Sequence, residues 1–204
     1  MSLTKVTLLF ALVLSLSLVA SASSSVDFSN SGGILGGSNA GLSLSGSTLT
    51  AANGLSGSGL ITGTLGSVSF STGVLTSGSL QMGGAFAAGG SFTITGNGTN
   101  GIPNGVLFSG TFAQPVTWQL VTLANGTHNY ILTGVISGTL YGGMKTNGVT
   151  VQLTVNTGKG FFNGRTPLAS GDTNVVVPEP GSLTLLGTGL IGIVGAFRRR
   201  FNLA

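Results

Sequence analysis

The chain has 204 residues, 37 of them glycine and only 5% charged, with no cysteine and a formal net charge of +4. Between residues 23 and 176 the charges reduce to Lys145, Lys159 and Arg165 against Asp27 and Asp172, a balance of +1 with no basic stripe. That excludes an electrostatic nucleic-acid interface, and the missing cysteine excludes both disulfide staples and an acylated lipoprotein.

The amino end opens with a single positive side chain, Lys5, ahead of an apolar run from Val6 to Val19. Ala20-Ser21-Ala22 follows, the small-x-small pattern that a signal peptidase pocket admits. Residues 1–22 therefore read as a secretory signal, with the mature chain starting near Ser23.

Residues 23–60 are Gly/Ser-rich and read as an amino-terminal arm or as weak strands. Asn30-Ser31-Gly32-Gly33 and Gly36-Gly37-Ser38-Asn39 are turn chemistry, while Leu42 and Leu44 alternate with serines. Residues 61–176 read as a β-rich exported domain. Val68 and Phe70 alternate with Ser67, Ser69 and Ser71, and Phe92-Thr93-Ile94-Thr95 continues the pattern before a dense run of Asn-Gly turns. Val106–Thr111 and Val116–Leu123 follow, then Asn125-Gly126 where a tight hairpin would place it. Gly134 reads as a bulge or bend, and Phe161-Phe162 as a plug for one end of the core. Val149, Val151, Leu153 and Val155 alternate with Thr150, Gln152, Thr154 and Asn156, the clearest half-buried strand in the chain.

No helical stripe interrupts this body. The expected fold is all-β, an antiparallel sandwich that includes jelly-roll forms, with a β-solenoid as the alternative and a carboxyl-terminal transmembrane helix after it.

Chemistry is sparse. His128 follows an Asn-Gly turn and reads as a solvated hairpin shoulder; Asp27 and Asp172 could act as a carboxylate pair only if the two ends of the body meet. One histidine and no thiol give no metal site, so neither a cofactor nor catalysis is expected. The expected role is structural or matrix-associated, and the alternative is a carbohydrate-binding module or adhesin, because aromatic faces stack on pyranose rings. Trp118, Tyr130 and Tyr141 are its candidate residues, although Trp118 shares its alternation face with Val116 and Leu120 and suits a core equally.

The tail, residues 177–204, is built differently. Val177-Pro178-Glu179-Pro180 breaks any preceding element. Leu183 to Phe197 is then apolar and dotted with glycine, and Arg198-Arg199-Arg200 closes it. Residues 182–197 would rise about 24 Å as a helix, somewhat short of a hydrocarbon core of about 30 Å. Arginine stems can extend the apolar length while their charged heads stay in water. The basic cluster predicts a cytoplasmic end, and hence a body on the far side of the membrane.

These three parts, in this order and at this end, resemble the PEP-CTERM sorting signal. The resemblance implies that Pro178, Glu179 and Pro180 are recognised by an exosortase-like processing enzyme, with Arg198, Arg199 and Arg200 as the basic stop. It also implies an exopolysaccharide-rich setting at the cell surface. The expected partners are that enzyme, a signal peptidase, the membrane before processing, and extracellular polysaccharide or copies of the chain itself.

Overall fold

A computed structural model describes residues 25–176. The expected signal segment and the tail with its transmembrane helix lie outside the described residues. Among the described residues, strands take up 71% and no helix is long and apolar enough to cross a membrane.

Twelve strands follow one another: β1 (Ser25–Ser31), β2 (Ile34–Ser38), β3 (Gly41–Asn53), β4 (Ile61–Ser71), β5 (Leu75–Ser79), β6 (Gly83–Phe86), β7 (Gly89–Asn97), β8 (Asn104–Phe112), β9 (Val116–Thr122), β10 (His128–Leu140), β11 (Met144–Asn156) and β12 (Arg165–Val176). A short 3-10 turn, Leu55–Gly57, sits between β3 and β4. Every pairing is antiparallel.

Four of these strands continue another across a short break. β1 and β2 run end to end between β3 and β12. β4 and β5 run beside β7 and β6, which in turn run beside β8 and β9. β8 and β9 share one edge of β10, and β11 takes the other edge. β11 then pairs with β12, and β12 pairs with β1 and β2. Counted as continuous runs, the strands form an eight-membered meander whose last member returns to the first.

The expected all-β antiparallel architecture is present. The short runs are segments of one hydrogen-bonded sheet with a closing seam. Residues 25–53, where an arm was one reading, supply β1, β2 and β3. The seam between β1 and β12 has no local signature, because its partners stand at opposite ends of the body.

A ring of eight strands encloses a space that side chains can fill. Aromatic rings fill this one. Phe92 packs against Phe70, Phe108 and Phe112 with centroids 6.1 to 6.2 Å apart. Nearer the β9–β10 turn, Trp118 stacks on Tyr130 at 4.9 Å, and Phe162 meets the Trp118 ring edge-on at 5.3 Å. Phe162 is buried, as the expected plug would be, whereas Phe161 is exposed. Each fully buried ring contributes about 1.5–3 kcal/mol by leaving water.

Gly134 is not a bulge. It lies in regular register with Val151 and faces inward, where a Cβ would sit 2.6 Å from the Phe112 ring. The register shift in β10 falls later, between Ile136 and Gly138. Gly33, at the break between β1 and β2, has φ +75° and a Cβ position 2.4 Å from the Ser47 amide nitrogen. A side chain there meets both backbone strain and a clash.

Outward positions of β4 carry Ser67, Ser69 and Ser71, and those of β11 carry Thr150, Gln152, Thr154 and Asn156.

Candidate functional site

The direction of each strand sorts the loops to two ends. Residues 39–40, 80–82, 123–127 and 157–164 lie at one end. Residues 54–60, 98–103 and 141–143 lie at the other, together with Ser25 and Val176, which are register partners. Residue 177 therefore departs from the end that also holds the start of β1.

Pro178, Glu179, Pro180, Arg198, Arg199 and Arg200 fall outside the described residues. Their distance along the chain from the fold is nonetheless fixed: Val176 is the last residue of β12, and Pro178 comes two residues later. Over residues 176–200 the chain matches the family model described as the PEP-CTERM protein-sorting motif. The tail is a PEP-CTERM sorting motif. It implies an exported protein sorted by an exosortase, held at the membrane by a transient carboxyl-terminal anchor. No curated protein and no solved structure matches the chain.

The PEP-CTERM match takes in only the last barrel residue, Val176, so the barrel's chemistry rests on its own side chains. The expected stacking surface of Trp118, Tyr130 and Tyr141 is not formed. Trp118 is 2% exposed and Tyr130 fully buried, whereas Tyr141 is 47% exposed in the β10–β11 turn at the opposite end. The polar tips of the two buried rings are also occupied. Trp118 Nε1 donates to the Leu80 carbonyl at 2.8 Å, and the Tyr130 hydroxyl donates to the Gln81 carbonyl at 2.6 Å. The same hydroxyl accepts the Phe162 amide hydrogen at 3.1 Å. These two residues fasten loops 80–82 and 157–164 over the barrel end. That is a structural task, and it explains why rings with polar tips occupy these positions.

The two ends of the body do meet, at the β1–β12 ladder. Asp27 pairs with Asn174 and Asp172 with Ser29, so the acids are diagonal neighbours on the outer surface, about 7–8 Å apart at their α-carbons. Asp27 accepts from the Asn174 side-chain amide, and Asp172 accepts from the Ser29 hydroxyl at 3.2 Å. His128 joins neither. It sits at the start of β10, where Nδ1 and the Thr122 hydroxyl are 3.0 Å apart and the ring stacks on Phe161 at 4.6 Å.

A feature missed in the sequence lies around Asp172. Thr117, Thr133, Gln152, Asp172 and Ser29 are successive register partners across β9, β10, β11, β12 and β1. They form one outward row of hydroxyl, amide and carboxylate groups. Two depressions of about 430 and 410 Å³ flank the row and share Gln152 and Asp172. Pro115 and Val135 add apolar surface to the first. The signal was present as the outward half of the β11 alternation, but it is indistinguishable there from ordinary solubilising polarity.

Proposed function

We propose that this chain is an exported, PEP-CTERM-sorted surface protein whose barrel is a non-catalytic, structural component of the extracellular matrix. One observation carries the reading: the large rings of Trp118, Tyr130, Phe92 and Phe108 point inward, while the outer strands present neutral hydroxyls and amides in cross-strand rows. A neutral, hydroxyl-rich wall approaches hydrated polysaccharide, or another copy of itself, with little electrostatic repulsion. An amino-terminal signal removed by signal peptidase completes the route, supported by the small-x-small pattern at residues 20–22.

The test is fractionation of cells with and without the chain. The reading expects the protein in the washed matrix fraction, matrix weakened by its deletion, and restoration by a chain bearing Asp27→Asn and Asp172→Asn. Failure of that double variant to restore the matrix, with fold and secretion intact, would instead assign a chemical role to the carboxylates.

A second reading is a carbohydrate-binding module, favoured by the paired depressions around Gln152 and Asp172. Planar side-chain amides and carboxylates there could bridge sugar hydroxyls by hydrogen bonds. Sedimentation with an insoluble neutral glucan separates the two readings. Binding that saturates and is lost in Gln152→Ala/Asp172→Asn supports a module; binding absent, or indifferent to both changes, supports the structural role.

A further inference from the structure

The barrel end from which residue 177 departs carries five exposed apolar side chains: Leu60, Val106, Tyr141, Met144 and Val176, between 43% and 69% exposed. The Tyr141 amide donates to the Leu107 carbonyl at 2.7 Å, which holds the β10–β11 turn beside the start of β8 and so brings Tyr141 next to Val106. Met144 opens β11 directly after that turn, and exposed Lys145 follows it. The nearby Asp27 carboxylate is engaged by Asn174. This rim therefore combines apolar side chains, one tyrosine and an outward cation.

Apolar exposure alone does not choose an end. Met82, Leu123 and Phe161 are exposed at the opposite one, near Lys159 and Arg165. The tether makes the choice. Only residues 177–182 separate the last residue of β12 from the apolar run that begins at Leu183. Six residues span at most about 20 Å when fully extended. A barrel on so short a leash stays within reach of the interfacial layer for as long as the tail is inserted. Tyrosine is a residue type that settles at that layer, and lysine can keep its methylenes among apolar groups while its ammonium meets phosphate.

We propose that Leu60, Val106, Tyr141, Met144 and Val176 form a lipid-facing rim that rests on the bilayer before processing, with Lys145 against the headgroup phosphates. The inference depends on the membrane-inserted tail. It adds an orientation: the Phe161–His128 end points away from the cell.

The absence of cysteine makes the test clean. Full-length chains carrying one of Tyr141→Cys, Met144→Cys, Met82→Cys, Phe161→Cys or Gly189→Cys are labelled with an environment-sensitive fluorophore. They are reconstituted in phosphatidylethanolamine/phosphatidylglycerol vesicles, with and without spin-labelled lipid. Blue-shifted emission quenched by lipid at positions 141 and 144, with unshifted and unquenched emission at 82 and 161, is the expected result. Quenching at 189 with none at 141 or 144 overturns the rim and leaves the anchored tail standing. Equal quenching at both barrel ends overturns the rim as well. No quenching at 189 overturns the tail reading and the rim together. Rim labels that respond only when the processing enzyme is added would mark a protein-docking surface, and the lipid proposal would fail.

Discussion

Ser25 and Val176 stand opposite one another as register partners, on the ladder that joins β1 to β12 and closes the barrel. It also brings the start of the described residues beside Val176, the last residue of β12, from which the chain continues into the sorting tail. Paired Cβ atoms in an antiparallel ladder are about 4.5–5.5 Å apart, a separation from which a disulfide can form with small adjustment. The double variant Ser25→Cys/Val176→Cys is therefore expected to oxidise spontaneously and to migrate faster on non-reducing gels. A reduced, unshifted chain under oxidising conditions would contradict the seam.

The Tyr130 hydroxyl gives a second prediction. It serves the Gln81 carbonyl and the Phe162 amide at once, inside the core. Tyr130→Phe keeps the ring stacked on Trp118 but strands both backbone groups, a loss of about 1–3 kcal/mol in denaturant unfolding. Wild-type stability in this variant would show that the two loops hold themselves in place.

Gly134 leaves the space that the Phe112 ring occupies, and Phe112 is held in turn by Phe70 and Phe92. Gly134→Ala is expected to destabilise by about 1–3 kcal/mol, because the buried ring has nowhere to move. The measurement is the urea midpoint at unchanged slope. An unchanged or raised midpoint would mean that the aromatic cluster yields easily.

Thr173 tests the polar side of the core. Its hydroxyl is buried without a hydrogen-bond partner. Thr173→Val keeps the shape and removes the stranded oxygen, so a gain of about 1 kcal/mol is expected. A loss of that size would reveal a partner for the hydroxyl in solution.

Particular residues show how far the sequence could be read. The alternation from Val149 to Asn156 became β11 with its valines and Leu153 inward. Asn125-Gly126 became the β9–β10 turn, in which Asn125 Oδ1 accepts the Thr127 amide hydrogen at 3.0 Å and Gly126 takes φ +79°. Both signals are local, set by a two-residue period and by turn chemistry. The closing seam was illegible because Ser25 through Asn30 find partners in Gly171 through Val176, a pairing that local pattern does not encode. Trp118 and Tyr130 misled in another way. Their composition suits a sugar platform, yet their alternation faces inward, and the Leu80 and Gln81 carbonyls that occupy their polar tips come from a distant loop. The row through Gln152 and Asp172 needs five strands in register before it exists at all.

The central claim is that a sorting tail delivers a closed, hydroxyl-faced barrel outside the membrane. Mass mapping of both termini of the native secreted protein tests it most directly. The account predicts a mature amino end near Ser23 and loss of the residues beyond Pro178-Glu179-Pro180. A chain recovered from the cytoplasm with Met1 and Ala204 both intact would contradict it.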